Sequence, residues 1–476
     1  MRHPIRLAAA AAALLLLAVL LGGAVGSRAE AGTKALARPM GLLRVPRTAQ
    51  RVQAGDGTPL TYHGGAVLHD STTYPIFWTP PGYPMTAAYQ AEVTKYFQDV
   101  AAASGSLSTP YSVSTQYFGD AGPITTQSTF GGPIVLTDPA PANACSVTPR
   151  IEPDAPITLC VLQHTLVALV QHAAALRGIS PGQNAVFFVL TPPGIANCGE
   201  RAISCSYRDF AAYHSVTPEG LLYAVHPSFT PARIEALAHE HIETITDPDG
   251  GGWYTDSTGQ EIADLCQDDP TVAQALGSTT YTLTQEWSNA DGGCAAKAPP
   301  ATSRLTLDTG GEGTGQVSAV FSGQTLTCKS ARGDTSCRTV VRRGAQIALK
   351  AVADAGFAFG SWDTAAPCSS KTRATCSFKA GAAEARATAS FASGDRFLLS
   401  IDVSGRGAVV YPNGKKCRTT CIQSFRSGTA VTLRALPAKG WRLQKFVDDT
   451  RSCAKRPRCV IRLRDNDNVF ATFVRA

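Results

Sequence analysis

The stretch Leu237-Ala-His239-Glu240-His241-Ile-Glu243-Thr-Ile-Thr-Asp247-Pro248 concentrates side chains that can bind a metal or move a proton. Read as a helix, it places His239 and Glu243 one turn apart on a shared face. An imidazole and a carboxylate in that arrangement can hold two corners of a tetrahedral zinc site. Glu240 then stands where a general base would act on a metal-bound water. The pattern H-E-x-x-E differs by one residue from the H-E-x-x-H of zinc hydrolases. Its extra carboxylate adds negative charge, which weakens zinc as a Lewis acid.

Two ligands on a helix need a third from elsewhere and an open position. Glu261 and Asp264, three residues apart in Glu261-Ile-Ala-Asp264-Leu-Cys266, offer it. If they share a helical face, one binds metal and the other orients His239 as an acceptor. Asp249 lies ten residues after His239 but ranks lower, because Pro248 interrupts the segment. Calcium is the alternative ion, held by oxygens of Asp247, Asp249, Asp256, Glu261 and Asp264. Their spacing lacks the regular alternation of a calcium loop. No G-x-S-x-G occurs to support a serine hydrolase.

The helix that must carry this motif is predicted to start with Thr230 as N-cap and Pro231 in its first turn. Ile234, Leu237, Ala238, His241 and Ile245 form its apolar stripe, with Ile242 at the edge. His241 therefore reads as a hydrogen-bonded core histidine. His239 and Glu243 fall on the opposite side, where they can line a cleft. Pro248 ends the helix, since the residue before proline disfavours helical backbone.

Around this helix, residues 60–296 alternate between strand-like and helix-like runs. Strands are expected over Val67–Trp78, Tyr111–Phe118, Pro133–Thr137, Ala185–Leu190 and Leu221–Val225. Helices are expected over Thr86–Ala103 and Cys160–Leu176, and a last helix or strand over Tyr281–Trp287. The mixture points to an α+β or α/β sheet domain.

Several landmarks accompany the motif: Tyr74-Pro-Ile-Phe-Trp78, the Cys198…Cys205…Tyr213-His214 loop, Thr246-Asp-Pro248, Gly252-Trp-Tyr254 and Glu261-Ile-Ala-Asp-x-Cys266. In this combination the segment resembles secreted bacterial proteins with a zinc-metallopeptidase-like core. More distantly it is similar to the plant exordium/phosphate-induced protein family. The resemblance implies a zincin-like mixed α/β domain, and it puts His214 at a recurring position within reach of the site. Plant members keep a Thr-x-Thr-Asn-Pro turn and lack the His/Glu ligands. The resemblance therefore implies the fold more strongly than the catalysis.

Arg2, His3 and Arg6 precede an apolar run from Leu7 to Leu21 and then small residues. Residues 1–31 thus read as a secretory signal peptide. Residues 32–59 read as a flexible segment or short propeptide. The mature chain is then expected to be secreted, without a transmembrane segment, and associated with the cell surface. Fourteen cysteines in an exported chain predict disulfides between neighbours: 145/160, 198/205, 266/294, 328/337, 368/376, 417/421 and 453/459. Cys417-x₃-Cys421 is formally compatible with a zinc ribbon, but no second pair accompanies it.

Lys297–Ser303 reads as a linker into two repeats of about 80 residues, 304–392 and 393–476. Gly344-Ala-Gln-Ile-Ala-Leu-Lys-Ala aligns with Gly428-Thr-Ala-Val-Thr-Leu-Arg-Ala, and apolar residues alternate as in antiparallel strands. Residues 1–302 hold 15 Lys+Arg and 24 Asp+Glu, whereas residues 303–476 hold 28 and 12. The basic half suits anionic cell-wall polymer or polysaccharide, and no specific nucleic-acid motif appears. The expectation is a secreted zinc-dependent hydrolase acting on protein or peptide, with an adhesive C-terminal region. The rival is a non-catalytic, metal-stabilised extracellular binding protein.

Overall fold

A computed structural model describes residues 36, 39–44, 57–299 and 301–476, apart from 331–334, 355–356, 364–365, 382–383, 394–395, 427–428, 449–456 and 464–465. The expected signal peptide, most of the N-terminal segment and Cys453 lie outside the described residues.

The first part is organised on a seven-stranded sheet: β1 (Met40–Arg44), β2 (Asp70–Trp78), β3 (Gln127–Phe130), β4 (Ile134–Leu136), β5 (Ala185–Thr191), β6 (Phe210–Val216) and β7 (Leu222–Pro227). The order is β1-β6-β7-β5-β2-β3, with β4 also on β2. Strands β2, β3, β4, β5 and β7 run parallel, while β6 and β1 add antiparallel neighbours at one side. All seven residues of Ala185–Thr191 are buried, as a parallel strand covered on both faces requires.

Helices α1 (Ala87–Ala102) and α3 (Ile234–Thr246) share one core with Phe77, Phe188, Leu190 and Ala224. Thr86 caps α1 by accepting from the Tyr89 amide. Helix α2 (Gln163–Arg177) packs against β5, β2 and β4. Gly178 ends it in the left-handed conformation.

Several expected elements differ. Tyr111–Phe118 is largely a 3₁₀ helix, Pro110–Gln116, whose buried hydroxyls return to its own carbonyls. The apolar run from Cys160 begins as strand Leu159–Leu162 before turning helical. Helix α3 begins at Ile234, not at Thr230: the Thr230 amide and hydroxyl donate to Asp154 and hold that residue outside the helix. Its end before Pro248 is as expected. Among the described residues, strand covers 46% and helix 13%, so these residues are mostly β and the layered α/β arrangement is confined to the first part.

The two C-terminal repeats share one plan. In the first, a sheet ordered Thr335–Arg342, Thr302–Gly311, Ala385–Ser393, Phe357–Trp362 faces a second sheet built on Gly315–Phe321 and Gln346–Ala353. In the second, the order is Thr420–Arg426, Arg396–Ser404, Asp467–Arg475, Trp441–Asp448, again with a second four-stranded sheet. Each repeat closes over its own core, around Trp362 and Phe391 in one and Phe446 and Phe473 in the other. The six disulfides among described cysteines join the neighbours named above. Cys417 and Cys421 are thus bonded to each other and not free to bind zinc.

The first repeat does not stand apart from the α/β part. Thr61–Tyr62 and Trp253–Tyr254 extend its sheet beyond Thr335–Arg342. Asn289 fastens the junction. It is fully buried, accepts from the Leu60 amide, and donates to the Leu60 carbonyl and the Thr339 hydroxyl.

Candidate metal centre

Helix α3 presents His239 and Glu243 one turn apart, with His239 Nε2 3.1 Å from Glu243 Oε1. Asp264 opens a short 3₁₀ turn, Asp264–Cys266, held by the Cys266–Cys294 disulfide. Its amide donates to Glu243 Oε1 at 3.0 Å, and its Oδ1 lies 3.7 Å from His239 Nε2. One atom each from His239, Glu243 and Asp264 lies within 4.8 Å of the others. Tetrahedral zinc with bonds of about 2.0–2.1 Å spaces its ligand atoms by ~3.3 Å. The three side chains therefore fit that ion.

A second group shares Glu243. His214, on β6, places Nδ1 3.2 Å from Glu240 Oε2 and 3.7 Å from Glu243 Oε2. Its Nε2 is 3.1 Å from the Asp247 carbonyl oxygen. A carbonyl can only accept, so Nε2 carries the proton and Nδ1 keeps a lone pair aimed at the two carboxylates. An imidazole oriented by a backbone carbonyl is arranged as metal-binding histidines are.

Burial makes this cluster costly without a cation. His239, Glu240, Glu243 and His214 are essentially inaccessible to solvent. His239 Nδ1 and Nε2, Glu240 Oε1, Glu243 Oε2 and Glu261 Oε2 have no hydrogen-bond partner. Such buried polar atoms are rare in folded proteins. Burial pushes Glu240 well above the ordinary glutamate range, and Glu243 and Asp264 push it further, against the pull of His239. Burial likewise raises Glu243 to about 7, with His239 opposing and Asp264 adding. Burial disfavours charge on His239, yet the field of Glu243 and contact with Asp264 hold its pKa well above that of free histidine. Burial lowers His214 to about 4, so it is neutral near pH 7.

Glu261 stands apart from the His239 group. Its Oε2 is 3.6 Å from His214 Nε2, on the other side of that ring from Glu240. The five carboxylates considered for calcium do not converge. Asp247 accepts from the Gly252 amide and Asp256 from the Thr61 hydroxyl, and among described residues no metal-ligand grouping contains Asp247, Asp249 or Asp256. His241 is a core histidine, between Ser71 Oγ at 3.0 Å and Tyr111 OH at 3.1 Å.

The face carrying His239 and Glu243 is not a solvated one. Helix α3 is buried on nearly every side, because β1 and the Asp264 turn cover what the apolar stripe leaves open. Gly41 of β1 lies directly against Glu243 Oε2 and the His214 ring. A cleft of about 540 Å³ reaches Asp264 and Glu261 between Pro39, Gly41 and Tyr254. The sequence reading did not include Glu286 or β1 in the site. Glu286 is buried, has an unpartnered Oε2, and is held well above the ordinary range by burial, with His239 opposing and Glu243 adding. The only hint in the sequence is a glutamate before the buried Trp287.

Residues 324–395 and 408–476 match the family described as "Divergent InlB B-repeat domain". The two matched segments fall on the two repeats seen in the structure. No curated protein sequence matches the chain. Among solved structures, a Bacillus anthracis TIE protein aligns at 9% identity over 41% of this chain and 36% of its own length, with a TM-score of 0.16. A streptococcal ancillary pilin aligns at 12% identity, 42% and 74% coverage, and a TM-score of 0.16. The shaft pilin SpaA of Lactobacillus rhamnosus GG gives 6% identity, 37% and 99% coverage, and a TM-score of 0.13. These comparisons lend no support to the zinc-metallopeptidase-like or exordium-like resemblance of residues 60–296. Among the described residues, no helix is long and apolar enough to cross a membrane.

Proposed function

We propose that this is an exported, surface-associated protein whose α/β part binds zinc through His239, Glu243 and either Asp264 or His214, and hydrolyses peptide bonds. The observation that carries the reading is the convergence of unpartnered, buried nitrogen and carboxylate atoms around Glu243. Zinc bound there would supply a Lewis acid and an activated water at neutral pH. Glu240, buried and raised in pKa, is suited to take a proton and pass it to a leaving amine. Asp264 fixes Glu243 through its amide, and the Asp247 carbonyl fixes His214. The two B-repeats, carrying most of the positive charge, would attach the chain to anionic wall polymer.

A second reading has its own support. The site is almost sealed, which suits a structural ion in a non-catalytic binding protein. Metal analysis of the full chain, with broad peptide-library hydrolysis by the parent and by Glu240→Gln, decides between them. Zinc with hydrolysis that Glu240→Gln abolishes supports the enzyme. Zinc with no hydrolysis by the parent supports the structural ion, and a metal-free parent refutes both.

A further inference from the structure

Strand β1 is a short segment near the N-terminal end, remote in sequence from helix α3, yet it lies directly over the candidate centre. It pairs antiparallel with β6, Met40 opposite His214, Leu43 opposite Ala212 and Arg44 opposite Phe210, with the register shifted between Met40 and Leu43 and again between Leu43 and Arg44. At the first of these shifts Gly41 takes a positive φ of 50°. A side chain at position 41 would collide with Glu243 Oε2 and the His214 ring. Only glycine fits both the backbone and the space. Two residues on, Leu43 enters an apolar pocket among Ala211, Ala212, Phe229 and Ala236. The Arg44 amide reaches Gln267 Oε1 at 3.3 Å, and that side chain is outside the sheet.

We propose that β1 is a built-in occupant of a peptide-binding groove along β6, and that the groove accepts an extended peptide with glycine over the centre and leucine two residues later. Main-chain pairing to a sheet edge gives affinity without regard to sequence, and pockets for alternate side chains give selectivity. Here the close approach to Glu243 and His214 selects glycine, and the Leu43 pocket selects a branched apolar side chain. The strand also shields the centre, since its Gly41 lies directly against Glu243 Oε2 and the His214 ring. This deepens the hydrolase reading by naming its substrate class, and the groove is testable without it.

Two full-length variants displace the strand differently: Gly41→Val by collision, Leu43→Asp by placing a charge in the apolar pocket. Hydrogen exchange is followed over residues 210–216, together with binding of a labelled peptide Pro-Met-Gly-Leu-Leu-Arg. Exchange there should quicken about tenfold or more in at least one variant. That variant should bind the peptide about tenfold or more tightly than the parent, whose strand must first open, and it should ignore a peptide with aspartate for the second leucine. Unchanged protection in both variants overturns the proposal, as does a freed edge that ignores the peptide or takes both peptides equally. Zinc is measured in the same samples. Peptide binding by metal-free protein upholds the groove while sinking the hydrolase reading.

Discussion

His239 Nε2 and Glu243 Oε1 stand 3.1 Å apart in an orientation that makes no hydrogen bond. Two polar atoms brought that close without sharing a proton, both sealed from water, are arranged to face a common third partner. A cation between them relieves the cost of burying each. The lone pair of His214 Nδ1 and the unpartnered Glu243 Oε2 repeat the arrangement on the other side of the same carboxylate.

His239→Ala should therefore remove zinc from the purified chain, since it deletes the nitrogen ligand of the His239, Glu243, Asp264 group. Asp264→Asn and His214→Ala separate the two candidates for the third position. The true ligand's variant should lose roughly 10-fold or more in affinity, by analogy with losses of 10–100-fold for outer-shell partners. Competition with a colorimetric chelator reads this directly. Stoichiometric zinc in His239→Ala would refute the assignment.

Glu240→Gln removes a proton acceptor of the same size without deleting a proposed ligand. It should leave zinc content and the thermal midpoint near those of the parent while lowering turnover by about 10²–10⁴-fold. A variant that keeps parental turnover would exclude Glu240 as the base.

The motif itself was legible because its residues are local. Spacing along one helix is enough to bring His239 and Glu243 together, and the apolar stripe correctly set His241 in the core. Asp264 and Glu261 stood equal in the sequence, because a third ligand had to come from elsewhere and both carboxylates lay downstream; only the fold separates them, Asp264 beside His239 and Glu261 beside His214. What spacing could not show is the covering of the polar face. Strand β1 and Glu286 arrive from opposite ends of the first part, and no local pattern marks them. The 3₁₀ helix over Pro110–Gln116 reads as a strand because Tyr111-Ser-Val113-Ser alternates apolar and polar residues with a period of two. The linker at 297–303 was legible by composition, but the sheet that crosses it depends on the two-residue strand Thr61–Tyr62, too short to leave a signal.

Asn289 offers a test of that crossing. Asn289→Leu leaves the Leu60 amide and the Trp287 indole N–H without their acceptor in a dry junction, while the Leu60 carbonyl keeps the Thr339 hydroxyl. Each buried unsatisfied group costs about 1–3 kcal/mol. The denaturation midpoint of the full chain should fall. An unchanged midpoint would mean the repeat and the α/β part are energetically independent.

His226 lies buried beside the start of α3, with Nε2 donating to the Arg233 carbonyl. Burial, assisted by the Arg233 charge, lowers its pKa to about 3. The unfolded chain takes up that proton near pH 6.5. Between these values the unfolded state holds more protons, so the contribution to stability is present above pH 6.5 and is lost as pH falls toward 3. His226→Gln should flatten the acid limb of the stability profile by up to one proton per molecule. Identical slopes for parent and variant over pH 6.5 to 4 would contradict this.

The second repeat carries the most specific expectation for binding. On its outer face Arg434 stands directly across from Arg458 in the strand register, and Val410, the next neighbour in the row, pairs with Lys416. Like charges facing each other across a ladder destabilise a sheet unless something anionic lies between them. The row points outward because Leu433, Ala435, Cys459 and Ile461 fill the inner face. Retention of the full chain on heparin or teichoic-acid resin should fall steeply with salt, since exposed charges are screened beyond about 10 Å at 0.1 M ionic strength. Arg434→Gln with Arg458→Gln should weaken retention and make it less sensitive to salt. The same pair of changes should leave folding intact or slightly improved, because it removes repulsion from an exposed ladder. Retention that does not change with salt, or that the double variant leaves untouched, would remove the electrostatic basis for attachment through this face.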